Sequence, residues 1–172
     1  TPREEVVRHV IEDLDMAIAG LDATKDVYRV TRWTAMALKS RVLLFEGTFR
    51  KYHDIEGWEP LLEECASVSG DFISKSGYTI YNSGSTPYLS LFNNLSANKT
   101  EYILARAYND KIKLMHDANG YVTSMSMGRP GLLRDVVCMY LMTDGTPFTS
   151  RQGWETMTFA DECKNRDRRL VQ

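Results

Sequence analysis

Apolar residues recur every three or four positions over the first twenty-one residues of the chain. They are Val7, Val10, Ile11, Leu14, Ile18 and Leu21. This spacing puts them on one stripe of a helix of roughly five turns. We expect the helix to begin at Thr1, which can cap it, because Pro2 suits a first turn and Glu4 completes a capping box. Asp13 and Asp15 fall off the stripe, and we expect both to be solvated.

Two further helices are predicted, and together the three should form helical hairpins. The second begins at Thr31 or Arg32, and its two neighbouring apolar rows predict a central position in the helical part. We expect Gly47 to end it. The third begins near Trp58 or Pro60 and should be closed by Gly77. Short connections and small residues at the contacts predict antiparallel, tetratricopeptide-like hairpins, although no repeat of the expected length is present.

The pattern changes after residue 78. Tyrosines and isoleucines predict short strands at 78–81 and 100–108. Residues 109–131 combine glycine, proline and polar side chains, which predicts a long and functional loop. A helix is expected over 132–142, ending before an Asp144-Gly145 turn. Three aromatic residues should anchor the irregular remainder: Phe148, Trp154 and Phe159. The predicted fold class is therefore mainly α, with tetratricopeptide-like hairpins and a loop-rich half that carries short strands.

Composition removes several classes of function. A net charge of -2 gives no basic face for nucleic acid. The apolar runs are too short to span a bilayer, and the three cysteines are far apart, which predicts inert thiols rather than a zinc site. The chain has no nucleophile elbow, phosphate-binding loop or His-Glu-x-x-His motif. We expect no metal, no cofactor and no catalysis, and we expect the Glu63-Glu64 pair to be solvated on a helix surface.

Residues suited to sugar binding gather in the long loop. A sugar ring stacks on an exposed aromatic face, and its hydroxyls bind amides, carboxylates and guanidinium groups. The candidate glycan contacts are Tyr121, His116, Asn119 and Arg129 in the loop, and Trp154 further along the chain. A solvated loop without a ligand explains the first four better than a glycan site does. Trp33 lies in a helical apolar row, and we expect it in the core.

Six short segments follow one another in a recognisable order. They are Asp13-Leu14-Asp15-Met16-Ala17-Ile18, Ala37-Leu38-Lys39-Ser40-Arg41, Gly77-Tyr78, Glu101-Tyr102-Ile103-Leu104, Tyr140-Leu141-Met142-Thr143-Asp144-Gly145 and Arg166-Asp167-Arg168-Arg169-Leu170. In this order and spacing they resemble the SusD/RagB family, the glycan-capturing lipoproteins of Bacteroidetes outer membranes. Arg168 stands where the family pattern has proline. The cluster around Asp167 could also be a local ion-pair network or a backbone-clamping arginine.

The resemblance implies a SusD-like α-α superhelix. Residues 1–172 would be one domain fragment, with 1–77 as helical scaffold and 78–172 as the ligand-facing part. It further implies a surface-exposed protein of the cell outer membrane that binds oligosaccharide or polysaccharide without catalysis. Its partner would be a SusC-like TonB-dependent transporter, and its lipid anchor would lie outside this chain, which we expect to be an internal piece of a longer protein.

Other functions stay open at this point. A helical-hairpin adaptor for protein or peptide would show a concave groove lined by the second and third helices. A glycoside hydrolase would need two carboxylates across a cleft. Within the resemblance itself, a peptide, a siderophore or another nutrient could replace the glycan.

Overall fold

The computed structural model describes residues 1–127 and 130–170. The fold is mainly helical, as predicted. The α-helices of the described residues are α1 (Arg3–Gly20), α2 (Arg32–Tyr52), α3 (Glu59–Lys75), α4 (Pro87–Asn93), α5 (Ala118–Thr123), α6 (Arg134–Met139) and α7 (Phe159–Glu162). Short 3-10 helices cover Asp110–Ile112, Phe148–Ser150 and Trp154–Thr156. None of the helices in the described ranges is long and apolar enough to cross a membrane.

The two predicted strands are wrong. Within the described residues the structure has only isolated β-bridges and no strand. The two segments are joined by one backbone hydrogen bond, from the Thr79 amide to the Thr100 carbonyl at 3.0 Å, and by the Tyr81 amide, which donates to the Glu101 carboxylate at 2.7 Å. Ile80 is 83% exposed, so the segment lacks the buried face that would hold it in a sheet. Tyrosine and isoleucine content misled the prediction because a strand also needs a partner strand.

The chain divides into two compact units. The helical unit comprises Thr1–Tyr81 and Asn94–Ala107, and the irregular unit comprises Asn82–Asn93 and Tyr108–Gln172. In the helical unit α2 packs against both α1 and α3. Trp33 is buried there, as predicted, and its indole nitrogen donates to the Ala23 carbonyl at 2.6 Å.

The ends of the helices differ from the predictions in two places. Pro2 rather than Thr1 precedes α1, and no side chain caps that helix. Gly47 does not end α2, which continues to Tyr52. A methyl group at Gly47 would lie 2.6 Å from the Leu62 Cδ2 atom, so the glycine allows α3 to approach α2 closely.

The helix α2 has its predicted central position, since it packs against both α1 and α3, but its apolar side chains are buried only in part. Leu43 is fully buried, whereas Leu38 is 50% and Phe45 is 63% exposed. The same helix buries Lys39, which is discussed below.

In the irregular unit, Arg166 holds the ends of two helices. Its guanidinium donates to the carbonyls of Val137 at 2.6 Å, Tyr140 at 2.9 Å and Glu162 at 2.8 Å. The guanidinium carbon lies 3.9 Å from the centre of the Phe148 ring. Both Arg166 and Phe148 are buried, so they form the centre of this unit.

Two sequence predictions for this region are confirmed and two are corrected. The clamping arginine and the local ion pair both exist, since Arg169 binds the Asp167 carboxylate at 2.5 Å while Arg166 binds carbonyls. The Asp144-Gly145 turn is present, with Gly145 at φ 83°. The helix expected over 132–142 covers only Arg134–Met139. Phe159 is 80% exposed and is therefore no anchor.

Candidate functional site

An open pocket of about 510 Å³ lies within the irregular unit, at the start of the predicted long loop. The chain forms a tight loop there, closed by reciprocal backbone hydrogen bonds between Asn109 and Leu114 at 2.9 and 3.0 Å. Asn109 also accepts the Lys111 amide through its side-chain oxygen at 2.9 Å. Lys113 adopts a left-handed conformation with φ 57° to complete the turn. The pocket is lined by Tyr108, Asn109, Asp110, Lys111, Leu114, Met115 and His116.

Two aromatic rings form one side of this pocket. The Tyr108 and His116 rings meet edge to face, with centroids 4.6 Å apart and planes at 84°. The His116 Nδ1 atom accepts the Ala118 backbone amide at 3.2 Å. A neutral imidazole that accepts at Nδ1 carries its proton on Nε2, and that proton can be donated to a ligand.

Asp110 and Lys111 supply charges of opposite sign to the same pocket. A carboxylate accepts hydrogen bonds and an ammonium group donates them. Because the two charges compensate each other, the pocket suits a neutral ligand with many hydroxyl groups. The sequence analysis placed residue 108 in a strand and therefore missed Tyr108. It included Asp110 and Lys111 in the long loop but did not identify them as candidates. The polar run between an aromatic residue and a histidine was the available signal.

The predicted loop candidates share one short segment. Asn119 and Tyr121 belong to α5, directly after His116. The Tyr121 side chain is 55% exposed and can serve as a stacking platform. The Asn119 side-chain amide makes no hydrogen bond among the described residues, so it too is available. The remaining loop candidate, Arg129, lies outside the described residues.

The last candidate, Trp154, contacts a different set of residues. Its ring lies 6.1 Å from Phe148, edge to face, and the Arg134 guanidinium carbon is 5.4 Å from its centre. Arg134 also donates to the Trp154 carbonyl at 3.1 Å. None of the contacts of Trp154 within the described residues reaches 116–123. The ring is half-buried, and its contacts are with Phe148 and Arg134 rather than with His116, Asn119 or Tyr121.

A second charged cluster lies in the helical unit. The buried Lys39 ammonium binds Asp15 Oδ1 and Glu64 Oε1, each at 2.5 Å. Burial alone would lower the pKa of Lys39, but the hydrogen bonds that its ammonium group donates to Asp15 and Glu64 raise that pKa above its usual value. A lysine held in its charged form cannot act as a base, and it joins α1, α2 and α3. Asp15 and Glu64 keep side-chain exposures of 55% and 41%, as expected of solvated residues, but the sequence did not indicate that both bind Lys39.

No protein-family model, curated protein or solved structure matches this chain. The site must therefore be interpreted from its own chemistry. No group of three or more metal-ligating side chains occurs in the ranges 1–127 and 130–170.

The groove expected between the second and third helices is filled. Ser40 of α2 binds Ser69 of α3 at 2.7 Å, and Cys65 lies against both. An exposed apolar groove occurs instead between α1 and α2.

Proposed function

We propose that this chain is the glycan-binding part of an outer-membrane nutrient-uptake complex of the SusD/RagB type. It would capture oligosaccharides or polysaccharides for import without catalysis. In this proposal α1, α2 and α3 are tetratricopeptide-like hairpins of a SusD-like superhelix. The partner is a SusC-like TonB-dependent transporter, and the parent protein is anchored by lipid at the cell surface.

The observation that carries the proposal is the pocket at 108–116 with the candidates of α5 beside it in sequence. An edge-to-face ring pair, an exposed tyrosine and compensated charges are what a neutral, hydroxyl-rich ring requires. Preformed sites of this kind combine apolar surface with a few placed polar groups. The ordered segments that resemble the SusD/RagB family supply the biological setting.

The test is a calorimetric titration of the protein with a panel of soluble glycans. Tyr121→Ala and His116→Ala should each weaken binding of the recognised glycan by about tenfold or more, equivalent to about 1.4 kcal/mol. Tyr52→Ala is the matched control, because Tyr52 is an exposed tyrosine of α2, at 79%, in the helical unit. Its affinity for the glycan should equal that of the wild type.

The Trp154→Ala variant tests whether the glycan binds at Trp154 or at the pocket at 108–116. If only that substitution abolishes binding, the function stands but the pocket at 108–116 is not the site. If the folded wild-type protein binds no glycan in the panel, the capture role fails.

A further inference from the structure

The groove between α1 and α2 is an apolar surface that glycan binding does not use. It has a volume of about 910 Å³. On α1 it exposes Val6 and Val10, at 48% and 37%, one turn apart. On α2 it exposes Leu38 and Phe45, at 50% and 63%, two turns apart. The two helices run antiparallel, because Arg3 pairs with Glu46 and Asp15 pairs with Lys39.

The charge along this groove is positive. Arg41 lies between Leu38 and Phe45 on the same helix face, is exposed, and makes no hydrogen bond or ion pair within the described residues. Arg3 lies at one end, half exposed. The acidic residue of the groove, Glu46, is buried and already binds both Arg3 and Arg50, at 2.8 and 3.0 Å. Arg41 is therefore an exposed cation beside apolar side chains, without an ion-pair partner among the described residues.

We propose that an amphipathic helix of a partner protein docks in this groove. Its apolar face would cover Val6, Val10, Leu38 and Phe45, and a carboxylate between its apolar residues would bind Arg41. A helix suits the space, since the ridges of a third helix fit the furrow between two antiparallel helices. Leu38 and Phe45 are about 10 Å apart along the axis. The partner's two anchors should therefore be about seven residues apart, with the acidic residue between them.

The same charges argue against a second copy of this chain as the occupant. In a twofold dimer each groove faces its own copy. Arg41 and Arg3 of one protomer would then lie against the same positive groove of the other. Like charges in a desolvated interface are unfavourable, so an acidic partner fits and a second copy does not.

The experiment uses two designed helical peptides of eighteen residues. Both carry leucines at helical spacing on one face and differ only at one position between the leucines, which is glutamate in the acidic peptide and lysine in the basic peptide. Binding is followed by fluorescence anisotropy of the labelled peptide. The wild-type protein should prefer the acidic peptide by about tenfold or more. Arg41→Glu should invert that preference.

Arg29→Glu is the matched control, since Arg29 is an exposed arginine of the loop before α2 and makes the same charge change outside the groove. It should keep the wild-type preference. Phe45→Ala should lower the affinity for both peptides by the same factor, because it removes apolar contact and leaves the charge of the groove unchanged.

Three results would overturn the proposal: neither peptide binds the folded protein, Arg41→Glu leaves the preference unchanged, or sedimentation shows a dimer that Phe45→Ala dissociates. The last would make a second copy the occupant. Glycan titration on the same samples reports the proposed function separately, because its variants lie in the irregular unit.

Discussion

Replacing Arg166 by methionine should unfold the centre of the irregular unit. The substitution removes the guanidinium that holds the carbonyls of Val137, Tyr140 and Glu162. These carbonyls lie at the C-terminal ends of α6 and α7, which leave their last acceptors without helical partners. Methionine keeps most of the side-chain volume over Phe148, so the change tests hydrogen bonding rather than cavity formation.

The magnitude follows from the number of acceptors that lose their donor. A buried polar group left without a partner costs about 1–3 kcal/mol. The Val137 carbonyl keeps the Tyr140 backbone amide as a donor, at 3.4 Å. The other two carbonyls would give a maximum of about 6 kcal/mol on that scale. Water can reach part of these two short helices once the guanidinium is gone. We therefore expect a loss of about 3–5 kcal/mol in the free energy of unfolding, the range found when one partner of a buried charged contact is removed.

Hydrogen exchange, read by mass spectrometry on peptides covering 134–142 and 159–166, measures this loss locally. Protection in those peptides should fall by about a hundredfold or more, since each 1.4 kcal/mol is a factor of ten. Arg168→Met is the control, because Arg168 is exposed and makes no ion pair among the described residues. If the two variants lose equal protection, Arg166 does not hold these helices and the reasoning is refuted.

Two further predictions concern stability. Gly47→Ala should lower the free energy of unfolding measured in urea, because the new methyl group would lie 2.6 Å from Leu62 Cδ2. Gly70→Ala should raise that free energy by up to about 1 kcal/mol, because the new methyl group would meet no described atom within 4 Å beyond its own stretch of helix. Equal shifts of one sign would contradict this. Hydrogen bonds from Arg169 lower the pKa of Asp167 to about 2. The ionised carboxylate therefore stabilises the fold above pH 4, and this stabilisation is lost as the pH falls through the lowered pKa. The free energies of unfolding of the wild type and Asp167→Asn, measured by urea titration, should therefore converge as the pH falls from 4 to 2. A difference that stays constant over this range would contradict the stabilising role of the Asp167 carboxylate.

The long helices could be predicted from sequence because their signal is local. Apolar spacing located α1, α2 and α3, and it placed Trp33 in the core. The same reasoning misread Gly47, since a glycine ends a helix in one context and admits a neighbouring helix in another. Only Leu62, which lies on a different helix, distinguishes the two cases.

The sequence predictions that were wrong concern features that depend on contacts between residues distant in the chain. Nothing near Asp15 in the sequence indicates that it shares Lys39 with Glu64. The tyrosines at 78–81 predicted a strand, but the described residues contain no neighbouring strand that pairs with this segment. The loop candidates were found through residue type alone, whereas the pocket also needs Tyr108, whose ring meets His116 after the chain turns at Asn109.

The two proposed surfaces differ in their charge, and salt separates them. In the pocket Asp110 and Lys111 compensate each other, so a neutral glycan should bind with nearly the same affinity at low and high ionic strength. In the groove Arg41 has no ion-pair partner among residues 1–127 and 130–170. A docked carboxylate should therefore bind Arg41 less tightly as salt screens their attraction over about 10 Å at 0.1 M. Apolar contact at Phe45 should persist in high salt. A peptide affinity that is independent of salt would mean that Arg41 does not select the partner, even if a helix occupies the groove.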